Sequence, residues 1–485
     1  MRLSELVKEL DTVYVKGSIE KDVSSIEYDS RKVKEGSVFV CIEGFKADGH
    51  AFIPSAIENG AVVIVTSKES KVPENITNIC VKDTRYALAV LASTFYGNPS
   101  EKINLIGVTG TKGKTTTTHM IKDIFELSNK KTGLIGTIVN KIGNRILTTQ
   151  RTTPEAVDLQ SMFKDMIEEN AKNAVMEVSS QGLKLHRVSC CDFDIGVFTN
   201  LSLDHIGPNE HDTFEDYFNS KAKLFKMCKK SLINNDDEYG RKIIDKATTK
   251  IYTYGIDNDA DFKASDIKYS PQYVEFDLYS KIACGRLRVN IPGRFSVYNA
   301  LAATGACLIN GISLDLIKSS LKRINVPGRV EIVHSGNEFT VIVDYAHTPD
   351  SLENVLKTVK SYTPGKLICV FGCGGDRDKS KRPLMAKISG EISDFTIITS
   401  DNPRTEDENV IISDIEEGIK ETNSEYIIIV DRYQAIKHAI VNAKQGDVII
   451  LAGKGHETYQ IFKDKTIHFD EKEVVKEILS DIGRE

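Results

Sequence analysis

The sequence contains no apolar run long enough for a membrane helix. Its most continuous stretches, at 61–65 and 426–430, fall far below the roughly 20 residues such a helix needs. Insertion into a membrane is therefore not expected. Nor is there a basic excess: 63 Lys and Arg face 69 Asp and Glu, a net charge of −6. That argues against a generic nucleic-acid or anionic-surface binder, so any phosphate chemistry must rest on local sites. A paired-cysteine framework is missing as well. The nine cysteines are an odd number, and neither the adjacent Cys190 and Cys191 nor the spaced Cys369 and Cys373 repeats as a zinc knuckle would. Reduced thiols in or near cores are the expectation. The opening MRLSELVKELDTVYV carries Glu5, Glu9 and Asp11 and lacks the cationic-then-apolar order of a secretory signal, which points to a cytoplasmic protein. No internal repeat or low-complexity tract is visible.

What is present is a globular composition, 40% hydrophobic and 27% charged over 485 residues. At a prior of roughly 150 residues per domain this suggests about three domains. An α/β chain is predicted, with domains at 1–98, 99–327 and 328–485. Residues 1–98 mix short β-rich runs at 37–42, 61–66 and 79–81 with a helix over 83–96, a mixed α/β domain. Gly97-Asn98-Pro99-Ser100 reads as a linker. The run 103–108 opens the second region, where strands at 173–178 and 194–199 separated by helical stretches predict a parallel sheet. Within it, 274–278 and 286–291 alternate apolar and polar residues, as a small antiparallel appendage would. In the third region, strands at 339–343, 367–371, 395–399, 425–430 and 447–452 predict a Rossmann-like doubly wound sheet. Ligands of such a sheet lie beyond the carboxyl ends of its strands. Unusual polar residues stand at those ends: Asp344-Tyr345-Ala346-His347, Gly372-Cys373-Gly374-Gly375-Asp376-Arg377, Asp401-Asn402-Pro403-Arg404 and Gly453-Lys454-Gly455-His456-Glu457.

The run 103–108 leads into Thr109-Gly110-Thr111-Lys112-Gly113-Lys114-Thr115-Thr116 and then a helix-like stretch. Glycines let backbone N–H groups turn inward around phosphates, and a helix N-terminus adds its positive dipole. Lys114 can reach terminal phosphates, and the Thr115 hydroxyl is placed to ligate Mg²⁺. The strict phosphate-loop pattern fails at one position, where Val108 replaces the first Gly. A purely structural turn is the alternative, and the strand-loop-helix context favours the phosphate loop. By itself the loop leaves kinase, GTPase, motor and ligase open. Glu177 ends a strand-like run near the rim where Mg²⁺ would lie, and His205 follows another; taken singly, His205 is more often a loop histidine than a ligand, and Glu177 more often a capping or solvated carboxylate. Lys221, on an amphipathic helical stretch, reads by default as a surface lysine.

T-G-T-K-G-K-T-T at 109–116, M-E-V-S-S at 176–180, T-N-L-S-L-D-H at 199–205 and Y-F-N-S-K-A-K-L-F at 217–225 together resemble the Mur ligase family in order and spacing. So do I-P-G-R-F-S-V-Y-N-A at 291–300, V-P-G-R-V-E at 326–331, V-D-Y-A-H-T-P-D at 343–350, G-C-G-G-D-R-D-K-S-K-R-P at 372–383 and G-K-G-H-E at 453–457. An N-terminal Y-D-S-R-K-V at 28–33 extends the match over essentially the whole chain. The resemblance implies a domain for the UDP end of a substrate, a central ATPase and a C-terminal amino-acid domain. It implies an ATP-dependent ligase of peptidoglycan precursor synthesis that activates a carboxylate as an acyl phosphate. Its substrates would be ATP, UDP-MurNAc-L-Ala-D-Glu and meso-diaminopimelate, with two Mg²⁺ ions. Lys221 would be carbamylated by CO₂ to N6-carboxylysine. Catalysis would rest on Lys114, Lys221, His205 and Glu177, with Thr115, Glu177, His205 and Lys221 as metal ligands. ATP would meet Gly110 to Thr116 and, across a cleft that closes, Asn299, Arg329, Asp344 and His347. Tyr28, Ser30, Lys46, Ala47, Thr152, Thr153, Ser179 and Arg187 would hold the UDP-dipeptide. Two positions depart from the family pattern: Leu185 stands where Gln is common and Lys112 where Asn is.

For the incoming amino acid the resemblance points to Arg377, Asp401, Asn402, Pro403, Arg404, Gly453 and Glu457, with Glu457 pairing the distal ammonium. A guanidinium offers a planar fork to a carboxylate, so Arg404 has an evident purpose if the substrate is diaminopimelate, whose far end carries a carboxylate that lysine lacks. Alternatives are the lysine-adding ligase of the same family, a folylpolyglutamate- or cyanophycin-type ligase, and a regulatory phosphate-loop module. A monomer is expected.

Overall fold

The computed structural model describes all residues except Lys46, Asn144, Thr148, Gln150, Asp204, His205, Pro208, Asn209, Pro271, Asn337, Arg484 and Glu485. The readings made above for Lys46 and His205 thus fall outside the described residues. Two compact units are present. One comprises Met1–Lys263, Tyr279–Cys284 and Tyr298–Ser320; the other comprises Ala264–Leu278, Gly285–Val297 and Leu321–Glu485.

In the first unit an N-terminal sheet has the order β1 (Thr12–Lys16), β5 (Thr77–Val81), β4 (Ala61–Thr66), β3 (Ser37–Val40), β2 (Ser25–Glu27). Only the β1–β5 pair is antiparallel. The expected helix runs Thr84–Phe95. It starts where the Asp83 carboxylate accepts from Arg85 N at 2.8 Å and Tyr86 N at 3.0 Å, satisfying two otherwise orphaned donors. It ends at Gly97 (φ +75°) and Asn98 (φ +50°), whose left-handed backbone stops the helix just before Pro99.

A second sheet in this unit carries parallel strands in the order β7 (Thr132–Ile135), β10 (Asn173–Glu177), β6 (Asn104–Thr109), β11 (Phe193–Phe198), β12 (Cys228–Asn234), β13 (Lys250–Gly255), and β13 pairs with the start of β14 (Phe262–Tyr269). β10 is buried throughout and β6 nearly so, as befits strands covered on both faces. The sheet is not purely parallel, as the sequence had suggested. β8 (Asn140–Ile142) and β9 (Arg145–Leu147) fold back antiparallel beyond β7. Three-residue strands present too few side chains for a period-2 pattern, so this hairpin left no signal.

β15 (Val274–Ser280) and β16 (Gly285–Val289), which fall in the second unit up to Leu278 and from Gly285 on, form the expected antiparallel hairpin. The sheet there has the order β17 (Glu331–Ser335), β18 (Phe339–Asp344), β22 (Asp447–Ala452), β19 (Leu367–Phe371), β20 (Phe395–Ile398), β21 (Glu425–Ile428). All neighbours are parallel except β17 on β18. Apolar faces of β18, β22 and β19 pack on helices Arg432–Asn442 and Glu471–Ile482 through Ile436, Ile440, Val475 and Ile478. On the other side, helices Lys381–Ile392 and Glu408–Ile419 meet where Gly418 lies against the Pro383 carbonyl. A Cβ there would overlap that backbone oxygen, which cannot rotate away. Gly418→Ala is therefore expected to destabilise by about 1–3 kcal/mol, the usual cost of overpacking, despite alanine's better helix propensity. A lowered denaturant midpoint checks it.

Candidate active site

β6 delivers the chain into a turn that only glycine adopts easily at two points, Gly110 (φ +148°) and Gly113 (φ +86°). A side chain on Gly110 would collide with the Thr199 hydroxyl, and one on Gly113 with Asn299. Asn200, just past β11, holds the loop from the neighbouring strand end. Its carbonyl accepts from Thr111 N at 2.8 Å, its Oδ1 accepts from Lys112 N at 2.9 Å, and its Nδ2 donates to Lys112 O at 3.1 Å. The helix Lys114–Leu127 has Gly113 as its N-cap and no side-chain cap hydrogen bond, the kind of helix N-terminus at which anions bind.

Two lysines converge on the loop. Lys114 Nζ donates to Gly110 O at 2.8 Å and Thr111 O at 2.9 Å, and Lys221 Nζ donates to the same Gly110 carbonyl at 2.8 Å. Lys221 is 1% exposed, so the default reading of a surface lysine fails. It rides on helix Phe214–Ala222, which the Thr213 hydroxyl caps by accepting from Asp216 N at 3.1 Å. Tyr217, one turn earlier on the same face, places its ring 4.6 Å from Lys221 Nζ and its hydroxyl 3.0 Å from Thr111 Oγ1.

Glu177, at the end of β10, is the hub on the other side. Its Oε1 accepts from Thr115 Oγ1 at 3.0 Å and Thr137 N at 2.8 Å; its Oε2 accepts from Thr137 Oγ1 at 3.1 Å. Thr115 Oγ1 and Glu177 Oε1 are two hard oxygens at the spacing of adjacent ligands on Mg²⁺, roughly 3 Å for bonds of roughly 2.1 Å. Those residues therefore fit that ion. Thr137 passes the network to Thr152 (Oγ1 to Oγ1, 3.0 Å), and Thr153 Oγ1 donates to Glu177 O at 2.9 Å while accepting from Ser179 N at 3.0 Å. Buried Arg187 donates to Thr153 O at 3.2 Å and pairs with Glu155 at 3.0 Å. Thr116 and Asn299 are buried beside the loop, with Asn299 Oδ1 3.4 Å from Thr117 Oγ1.

Tyr28, Ser30 and Ala47 belong to the N-terminal sheet region. Tyr28 OH donates to Asp158 Oδ2 at 2.8 Å, and burial pushes its phenol far above the ordinary range. Ser30 is buried in a short turn, and exposed Ala47 accepts from Gly44 N at 2.9 Å.

In the second unit Asp344, at the end of β18, accepts from Val330 N at 2.8 Å and so fixes the Pro327-Gly328-Arg329 turn. Arg329 lies 4.8 Å from the Tyr345 ring, which also packs against His347 at 4.6 Å. At the ends of β20 and β22, Asn402 donates to Glu457 Oε2 at 2.8 Å and accepts from Ile461 N at 2.9 Å and Lys454 Nζ at 3.3 Å. Burial raises the Glu457 carboxyl above its usual range. Gly453 (φ +115°) leaves room for Asp401, whose Oδ2 would lie 2.6 Å from any Cβ added there. Arg404 sits in left-handed backbone (φ +54°) with Nη1 on Gly375 O at 2.8 Å. The pair Gly374-Gly375 is needed for that approach: added Cβ atoms would press on the guanidinium and overlap the Pro403 carbonyl. Arg377 is exposed and donates to Asp376 O at 3.1 Å, and Asp376 in turn accepts from Thr405 Oγ1 at 2.6 Å, joining the two arginine-bearing loops.

Sequence reasoning missed Thr137, Asn200, Glu155, Asp158 and Lys454. Asn200 and Lys454 stood inside quoted motifs; Thr137, Glu155 and Asp158 had no local signal.

A phosphate loop with a buried lysine on its first glycine, in a chain that also carries a Rossmann-like sheet with polar strand ends, defines the class as a phosphate-loop protein with a second α/β unit. The chain belongs to the Mur ligase family. Its residues 22–96 match the model of the Mur ligase family catalytic domain, 108–307 the Mur ligase middle domain, and 328–455 the Mur ligase glutamate ligase domain. It is 50% identical to the UDP-N-acetylmuramoyl-L-alanyl-D-glutamate--2,6-diaminopimelate ligase of Clostridium botulinum, over 99% of this chain and 100% of that one. The identity is also 50% to the protein of the same name from Caldanaerobacter subterraneus, over 99% of each chain. A solved structure of a UDP-N-acetylmuramoyl-L-alanyl-D-glutamate--2,6-diaminopimelate ligase superposes with a TM-score of 0.74 at 32% identity, covering 100% of this chain and 99% of that one. The three-domain Mur ligase fold is thereby established. Among the described residues no helix is long and apolar enough to cross a membrane.

Thr153→Val is nearly isosteric but removes both hydroxyl bonds and leaves the Ser179 N–H unpaired. It is expected to cost about 1–3 kcal/mol, read as a lower thermal midpoint.

Proposed function

We propose that this protein is the ATP-dependent ligase that joins meso-diaminopimelate to the D-Glu of UDP-MurNAc-L-Ala-D-Glu in peptidoglycan precursor synthesis. The single observation that carries the chemistry is the convergence of Lys114, Lys221, Thr115 and Glu177 around the Gly110 loop. The substrate reading rests on the full-length likeness to diaminopimelate ligases and on Arg404 at the carboxyl end of β20. The domains are taken as 1–98 for the UDP end, 99–327 for ATP and 328–485 for the amino acid, in a cytoplasmic monomer.

A carboxylate is a poor acyl donor. ATP phosphorylates the D-Glu carboxylate to an acyl phosphate, and the amine displaces phosphate through a tetrahedral intermediate. In the first step two anions approach each other, which requires positive charge fixed in advance. Lys114, the loop N–H groups and the N-terminus of helix Lys114–Leu127 supply it, with Lys114 exchanging a loop carbonyl for a phosphate oxygen. Thr115 and Glu177 would hold one Mg²⁺, and His205 with Lys221 a second; the ions would neutralise charge on the transferring phosphoryl group. Lys221 enters as a carbamate. Its ammonium first gives up one proton, and the neutral amine then adds to CO₂ and releases a second, which turns a buried cation into an anion with ligating oxygens. The carbamate keeps one N–H, so the bond to Gly110 O survives. Carbamylation also removes one of the two like charges from that carbonyl.

On the substrate side, Arg187 and Ser179 bind the UDP-dipeptide next to Glu177, joined to it through Thr153. For the amino acid, Arg404 offers a guanidinium to the distal carboxylate, while Glu457 and Asn402 take the distal ammonium.

Lys221→Ala is expected to abolish turnover while keeping the circular dichroism spectrum and melting of the parent; a fully active variant would rule out the carbamate. Arg404→Ala should raise the KM for diaminopimelate at least about tenfold, the equivalent of about 1.4 kcal/mol, with the KM for ATP little changed. A mass-resolved assay offering lysine and diaminopimelate together tests the substrate directly. Lysine incorporation, or unaltered amino-acid kinetics in Arg404→Ala, would overturn the choice of diaminopimelate.

A further inference from the structure

Arg432 is the first residue of helix Arg432–Asn442 and is fully buried, as is Glu471 at the start of helix Glu471–Ile482. Burying a guanidinium is costly unless every face of it is used. Here it is used on three sides. Nε donates to Glu471 Oε1 at 2.8 Å, Nη1 to Ser400 O at 3.3 Å, and Nη2 to Ala452 O at 2.9 Å, with Nη2 also 2.7 Å from Glu471 Oε1. The two carbonyls are not arbitrary. Ser400 immediately precedes Asp401-Asn402-Pro403-Arg404, and Ala452 immediately precedes Gly453-Lys454-Gly455-His456-Glu457. β20 and β22, which lead into those segments, are not neighbours, since β19 lies between them. No sheet hydrogen bond therefore sets the spacing of the two loops. The guanidinium spans that gap at the strand ends; further out the two segments are joined by side chains, Asn402 to Glu457 and Lys454 to both, and, past Glu457, by Gln460 Nε2 donating to Asp401 O at 2.7 Å and Arg404 N donating to Ile461 O at 3.0 Å.

We infer that Arg432, held by Glu471, is a positioning residue for amino-acid selection: it fixes the distance between the two loops that carry Arg404 and Glu457. This rests on the reading of those loops as the amino-acid site. Arg432 touches no substrate; its effect passes through two backbone carbonyls. A lysine at 432 keeps the charge but has one short ammonium in place of a planar fork, and cannot hold Glu471 and both carbonyls together.

The test compares the full-length parent with Arg432→Lys and Glu471→Gln by steady-state kinetics and by hydrogen exchange. For Arg432→Lys the KM for diaminopimelate is expected to rise at least tenfold. The KM for ATP and kcat at saturating amino acid should stay within twofold, and the preference for diaminopimelate over lysine should fall. Amides at 400–404 and 452–457 should lose protection together. Glu471→Gln, which preserves shape, should move the same quantities in the same direction by less, and carries the test if Arg432→Lys fails to fold. A uniform loss across all substrates, or unchanged exchange at the two loops in a folded variant, overturns the inference. Loosened loops with unaltered diaminopimelate kinetics would instead count against the amino-acid site proposed above.

Discussion

Much of the first unit is arranged around one backbone carbonyl, that of Gly110. Two lysine ammonium groups, Lys114 from the following helix and Lys221 from a helix more than a hundred residues on, donate to it at 2.8 Å each. A carbonyl can accept two hydrogen bonds, but two cations on one oxygen in a buried setting are an unfavourable pairing unless anions are expected nearby. A phosphate loop is such a place. The glycine at 110 lets the carbonyl turn toward both lysines, Asn200 and Thr199 brace the loop from the neighbouring strand end, and Tyr217 positions Lys221 and reaches Thr111. Glu177 balances this charge from the adjacent strand, and its own geometry is set by Thr137 and Thr115.

The second unit treats charge differently. Its buried ions are paired near the carboxyl edge of the sheet: Arg432 with Glu471, Lys454 with Asn402 and Glu457, and Arg382 with Glu406 and Asp414. Arg432–Glu471 and Arg382–Asp414 tie helix to helix, while Arg382–Glu406 and Lys454 with Asn402 tie in the loops that follow strands. Arg382 and Asp376 both engage Glu406, which steadies the segment after Arg404. The result is a set of strand-end loops whose polar groups are held in place by contacts within the unit, the condition under which charged contacts discriminate rather than merely attract.

Strands and helices with strong local signals were legible. β4, β19 and β22 fall where their apolar runs predicted, and the Asp83 cap and Gly97-Asn98-Pro99 break bound a helix as expected, because caps and left-handed turns are decided by adjacent residues. The short edge strands β1, β2, β8 and β9 were not legible, since few residues and partial exposure leave no period to read. Lys221 shows the limit most clearly. On an amphipathic stretch it looked like a solvated lysine, and only its likeness to a family drew attention to it.

By itself the sequence determined the strand-loop-helix of the phosphate site, the order of its glycines, and the clustering of polar residues at strand ends, for these depend on contacts within a few positions. The tertiary structure alone decided that Lys221 is buried against Gly110, that Thr137 clasps Glu177 from 40 residues away, and that Arg432 reaches carbonyls 32 and 20 residues distant. Those pairings come from parallel strands whose ends converge across long helical crossovers, and such convergence is a property of the sheet's order in space, which no local pattern encodes.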